Sequence, residues 1–268
     1  IRDGEGSLRL AIENANQYDV ISIDNSLTGK IIQLKSPLEL YTDKPLTIEG
    51  NGIILSGNDQ YEILKNSATL IINRVHFTRG SGENGGAIVN YGNLTVNVCI
   101  FSQNHAVDGG AIYGYTDGML VINACSFISN TANNTSQGRG FGQSSYGGGG
   151  AIYTKSPAIL TGNIFQDNIN IAANQGHVVY GTNKVQSEGN NVYDNTSGYE
   201  DFVGPSNTYI EHNPFTAPSD VKANSYAVSP VTGKLMKNSV ARNHITGQLP
   251  QNYPSVDFYG LPITLPAS

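Results

Sequence analysis

Chemistry in this chain is first sought where tyrosine and lysine fall beside a repeated strand motif. The tetrapeptide GGAI occurs at Gly85, Gly109 and Gly149, and a degenerate copy, GHVV, begins at Gly176. Side chains alternate along a strand, so if Ile88, Ile112, Ile152 and Val179 point inward, then Tyr113, Tyr115, Tyr153, Lys155 and Tyr180 point outward. Val89 and Tyr91 hold the equivalent places one repeat earlier. Stacked repeats would set Tyr113, Tyr153 and Tyr180 in one exposed file, with Tyr91, Tyr115 and Lys155 in a second beside it. A flat aromatic strip suits the apolar faces of sugar rings, and the hydroxyls and the lysine suit their polar groups. The segment before the third GGAI carries Arg139, Phe141 and Tyr146 and leads into the same strand, where it could overhang the strip. The competing reading is that the tyrosines shield a sheet or pack under the C-terminal chain.

A second chemistry needs fewer residues. Removing a proton beside a carboxylate takes a base, and the resulting charge takes a cation, commonly Lys or Arg with calcium. The candidates near the strip are Lys155, Arg139, His105 and His177. Each also has an incidental reading: His105 stands near Asp108 in a connecting segment, and His177 replaces the glycine found at Gly86, Gly110 and Gly150. Asp and Glu do not cluster in one phase on neighbouring repeats, so a calcium site is not visible and no cofactor is expected. GxSxG, HExxH, a phosphate loop and a CxxC pair are missing from the sequence as well.

The elements that must position these residues repeat with a period in the mid-twenties. Leu70 to Phe77 (LIINRVHF), Leu94 to Phe101 (LTVNVCIF) and Leu120 to Phe127 (LVINACSF) superpose without gaps, with the phenylalanines 24 and then 26 apart. FxxN follows at Phe101, Phe127 and Phe165, and GGAI alternates with it. A unit of this size holds short strands and no face to bury them against, so it must stack on its neighbours. The strands are rich in Val, Ile, Thr, Tyr and Phe, with no stripe at helical spacing, and the leucine-rich pattern is absent. A parallel β-helix is left. Its stacking predicts a ladder of Asn73, Asn97 and Asn123, an internal pile of Phe77, Phe101, Phe127 and Phe165, and Cys99 over Cys125. One coil of separation lies within disulfide range, but in-phase side chains point in parallel directions, which favours two buried thiols.

The ends depart from the period. Residues 1–20 contain Ser7 followed by LRLAIENANQ, with Leu8, Ala11, Ile12 and Ala15 at helical spacing, which predicts a short amphipathic helix with a Ser N-cap closing the column. Coils are expected over 21–197. Residues 131–148 place the third GGAI 40 residues after the second, against a regular 24, so they must leave the column as a loop. From 198 to 268 the repeats stop and eight of the 11 prolines occur, which predicts an extended tail packed on the solenoid.

Only 13% of the 268 residues are charged and the formal net charge is −6, against about 25% charged residues in ordinary domains. A surface made of Asn, Ser, Thr, Gly and Tyr suits an extracellular β protein. An acidic chain disfavours nucleic acid as a partner, and no apolar run reaches the roughly 18 residues of a membrane span. Opening at Ile1 rather than Met, the chain reads as a processed product, with any leader or anchor outside it.

The opening GSLRLAIENAN, the strands VISID and LTIEG, and the alternation of GGAI with FxxN resemble secreted bacterial right-handed parallel β-helix proteins of pectin-lyase-like fold. That group includes polymorphic outer-membrane-protein and autotransporter-adhesin repeats. In the tail, YAVSPVTGKLMKNS and VDFYG are similar to closing segments of such proteins. The resemblance implies an all-β, single-stranded β-helix, extracellular or at a cell surface. It implies a polysaccharide or cell-surface glycan as partner, bound in adhesin-like fashion without catalysis, or else a polysaccharide lyase or related carbohydrate-active enzyme.

Overall fold

Short strands of three or four residues recur in phase because each apolar column needs the coil above and below to close it. The computed structural model describes residues 6–41, 44–115, 118–133, 148–171, 178–181, 185–194 and 219–223. All its strand pairs are parallel, as a wound solenoid requires. Among the described residues, strands assemble into a broad sheet of 13, a narrow sheet of 4 and a third sheet of 6, here called the tyrosine sheet. A single coil runs through all three: Leu94–Asn97 and Ile100–Ser102 lie in the broad sheet, His105–Asp108 in the narrow one, and Ile112–Gly114 in the tyrosine sheet.

Register follows the repeat. Leu46, Leu70, Leu94, Leu120 and Ala158 stand over one another, as do Ile48, Ile72, Val96, Ile122 and Leu160. Phe77, Phe101, Phe127 and Phe165 form the expected internal pile, with ring centroids 5.0, 4.7 and 4.9 Å apart and planes within 10° of parallel. All four are buried. Offset parallel rings at this spacing gain about 0.5–1.5 kcal/mol per pair beyond their burial.

Polar ladders run beside the apolar columns. Asn97 Nδ2 donates to Asn73 Oδ1 at 2.9 Å and Asn123 Nδ2 to Asn97 Oδ1 at 3.0 Å, which is the ladder read from the sequence. The FxxN asparagines build a deeper one. Asn104 Nδ2 donates to Phe77 O and Asn130 Oδ1, Asn130 Nδ2 to Phe101 O and Asn168 Oδ1, and Asn168 Nδ2 to Phe127 O, all at 2.9–3.1 Å. Each amide thus caps the carbonyl of the phenylalanine one coil earlier. The residue before each of these asparagines takes a left-handed conformation, with φ of 55° at Gln103, 53° at Ser129 and 54° at Asp167. The amide ladder offsets the cost of that bend.

Cys99 and Cys125 are free, buried thiols. They belong to a column of mixed residue types. Each side chain accepts the backbone N–H of its counterpart one coil earlier: Val75 N donates to Cys99 Sγ (3.4 Å), Cys99 N to Cys125 Sγ (3.4 Å), Cys125 N to Asn163 Oδ1 (2.9 Å), and Asn163 N to Asn191 Oδ1 (2.9 Å). Asn191 N then donates to Asp220 Oδ1 at 3.0 Å. Burial, and next the hydrogen bond with Cys125, push the Cys99 thiol well above its ordinary range.

Asp220 corrects the expected boundary of the coils. Val221–Ala223 pairs in parallel with Val192–Asp194, so a further strand of the broad sheet lies inside the segment expected to be tail. The rest of 195–268 lies outside the described residues.

At the other end, Leu8–Asn14 forms the expected helix, with Leu10 N donating to Ser7 Oγ at 3.2 Å. Ile12 and Ala15 are buried and Leu8 packs on the core, but Ala11, expected on the apolar face, is exposed. Seven residues close the column with a narrower stripe than the spacing implied. Among the described residues, no helix is long and apolar enough to cross a membrane.

Candidate functional site

The tyrosine sheet is built by GGAI. The first glycine of each motif is left-handed, with φ of 61° at Gly85, 66° at Gly109 and 58° at Gly149. The second has no room for a side chain: a Cβ on Gly110 would meet Gly150 O at 2.2 Å and Thr131 at 2.7 Å. Two glycines therefore turn the chain sharply from the narrow sheet into the tyrosine sheet and let coils close on backbone. Ala and Ile follow inward, and Ile88, Ile112, Ile152 and Val179 are all buried.

Outward of that column, Val89, Tyr113, Tyr153 and Tyr180 stand in register. Tyr113 and Tyr153 stack at 4.9 Å, Tyr153 and Tyr180 at 5.2 Å, each pair inclined by 14°. The second file follows: Tyr91 lies over Tyr115 at 4.3 Å and 15°, and Tyr113 leans against Tyr115 at 4.7 Å and 57°. Lys155 Nζ sits 5.7 Å from the Tyr113 ring centroid and 5.8 Å from that of Tyr115, within cation–π range. Burial, and next the hydrogen bond with Tyr91, raise the Tyr115 phenol above its usual range.

The two files therefore exist, but the first is not an exposed one. Tyr113 is 4% and Tyr153 7% exposed, whereas Tyr91 is 41% exposed and Tyr115, Lys155 and Tyr180 are half-buried or nearly so. The stacking also changes what the strip presents. Parallel rings one coil apart cover each other's faces, so within the stack only ring edges and phenol oxygens can turn outward. A surface for flat sugar stacking does not follow from a file of tyrosines in successive coils.

The proton-transfer candidates do not converge. His105 is exposed on the narrow sheet, and Asp108, three positions along the same strand, is buried on the opposite face. The segment around His105 is a strand rather than the connecting loop its sequence suggested. Lys155 stands on a different sheet. Arg139, Tyr146 and His177 lie outside the described residues. Among those described, no group of three or more His, Cys, Asp or Glu side chains could hold a metal ion.

Sequence reasoning missed a cavity of about 450 Å³ at the N-terminal cap. Leu8 and Leu10 of the helix face Ile21, Ile23, Leu27 and Ile32 of the first coil across it. The signal was present in the apolar strands VIS and IIQ, which have a coil to pair with on one side only.

Residues 98–115 and 124–155 match the Chlamydia polymorphic membrane protein repeat. These are the two coils in which FxxN and GGAI both occur in full. No curated protein and no solved structure matches the chain. Repeats of this kind, wound into a parallel solenoid, fit a polymorphic outer-membrane-protein or autotransporter-like β-helix protein, one displayed at an outer membrane or cell surface.

Proposed function

We propose that this surface β-helix is adhesin-like and non-catalytic, and that it recognises glycan hydroxyls and carboxylates through the polar edge of its second tyrosine file. The supporting observation is the rigid alignment of Tyr91, Tyr115 and Lys155. Their rings and ammonium are held by stacking and cation–π contact before any ligand arrives. Preorganised donors lose little freedom on binding, which favours a surface that must grip a flexible polymer. Edge-on phenols would hydrogen-bond to sugar hydroxyls, and Lys155 would add affinity for acidic residues.

Calorimetric titration of the purified chain with neutral and acidic polysaccharides tests this reading. Binding should occur and should weaken in Tyr91→Ala and Tyr115→Ala, both of which spare the buried Tyr113 and Tyr153. Affinity unchanged in both variants would remove the strip from the binding surface. Among the described residues the lyase reading has no observation in its favour, because His105 and Lys155 do not come together.

A further inference from the structure

We propose that Tyr91 and Tyr115 form an oxidative cross-linking site, at which a peroxide acting through a haem peroxidase joins the two rings into a dityrosine bridging adjacent coils. The pair has the shortest ring separation among the described tyrosines, with centroids 4.3 Å apart and planes 15° from parallel. The two rings therefore lie face to face, and the Tyr91 hydroxyl is close enough to contribute to the raised pKa of the Tyr115 phenol. Such proximity replaces a bimolecular encounter of two radicals with a step inside one molecule.

Position distinguishes this pair from the other stacked ones. Tyr113 and Tyr153 sit within paired strands, Ile112–Gly114 and Ile152–Thr154, and are buried. Tyr91 and Tyr115 each follow the end of a strand, Ile88–Asn90 and Ile112–Gly114. Tyr91 N and Tyr115 N still donate from coil to coil, to Asn66 O at 2.7 Å and Asn90 O at 2.8 Å, so the backbone of both is held while the rings tilt about their side-chain bonds. Tyr91, at 41% exposed, is open to an oxidant, and Tyr41, at 66%, has Ser67 rather than tyrosine in register on the next coil.

The chemistry balances. Each phenol gives up one electron and one proton to become a phenoxyl radical, and the two radicals join through ortho carbons. The two ortho protons then move to the oxygens as the rings regain aromaticity. The two electrons and two protons released reduce one hydrogen peroxide to two waters at the peroxidase haem. The cross-link uses two residues of the proposed glycan-binding edge but does not rest on that reading, since it requires only that the tyrosines meet an oxidant.

The test is to treat the dilute full-length chain with hydrogen peroxide and a haem peroxidase. The monomeric fraction is then isolated by gel filtration, and dityrosine fluorescence and linked peptides are measured. Wild type should give a monomer that fluoresces and carries the 91–115 peptide pair, lighter by two hydrogens than the sum of its parts. Tyr91→Phe and Tyr115→Phe keep a stackable ring but cannot form the phenoxyl radical, and each should lose that product. Tyr41→Phe should retain it. Circular dichroism of the Phe variants identical to wild type keeps a loss attributable to the phenol. Dityrosine formed only between molecules, or an internal product that survives both Phe variants, would overturn the proposal.

Discussion

His76 carries a pH dependence that the repeat pattern does not reveal. It faces away from the phenylalanine pile, with Nε2 2.7 Å from Ser102 Oγ, and burial lowers its pKa from 6.5 to about 4. The folded chain therefore holds it neutral where the unfolded chain would protonate it. Stability is unaffected above about pH 6.5, falls as pH drops from there, and levels off below about pH 4, a loss of about 3 kcal/mol. Urea unfolding across that window should show a steeper decline for wild type than for His76→Gln, and parallel curves would mean that the imidazole stays solvated. Ala124 offers the opposite sign. Its φ of 54° is the left-handed bend that Gly162 makes in the next coil at 65°. Ala124→Gly relieves about 1 kcal/mol of steric cost, partly offset by a more flexible unfolded chain, and should raise the thermal midpoint.

At the scale of the element, the two asparagine ladders differ in what their loss would cost. Asn97 is half-buried and bonds mainly to Asn73 and Asn123, so water can replace it. Asn130 is fully buried, caps Phe101 O and accepts from both Asn104 N and Asn104 Nδ2. Asn130→Ala strands several buried polar groups and should cost about 3–5 kcal/mol, whereas Asn97→Ala should cost about 1 kcal/mol. Denaturant midpoints for the pair decide the matter, and equal losses would show that burial does not set the price of a ladder. The phase of the Asn73, Asn97 and Asn123 ladder and of the phenylalanine pile was legible from the repeat, since identical residues at a fixed period must stack, whereas the FxxN asparagines were visible as a motif but not as a ladder. The column of Cys99, Cys125, Asn163, Asn191 and Asp220 was not, because its members share only the ability to accept a backbone N–H. Tyrosine exposure was also illegible. Parity says which side of a sheet a ring leaves from, but not that rings in successive coils cover one another's faces.

A solenoid has no contacts between distant coils, so its stability is the sum of local units and neighbour interfaces, and it should open from its ends. The N-terminal end has a helix over it, with Ile12 and Ala15 buried against the first coil. Far from that cap, Asp220 accepts from Asn191 N at 3.0 Å and Asn191 Nδ2 at 3.1 Å, and is the last acceptor, among the described residues, of a column that begins at Val75. Removing that carboxylate takes the acceptor from the buried Asn191 N–H, while Asn191 Nδ2 keeps Leu160 O at 3.1 Å and Ser187 Oγ at 2.8 Å, so the cost is local to the neighbouring coils. In Asp220→Ala, amide hydrogen exchange should therefore accelerate at Asn191 and Val192, less at Asn163, and not at Cys99 or Asn104. Uniform acceleration along the chain would mean that the coils unfold as one cooperative body, and the one-dimensional account of this fold would fail with it.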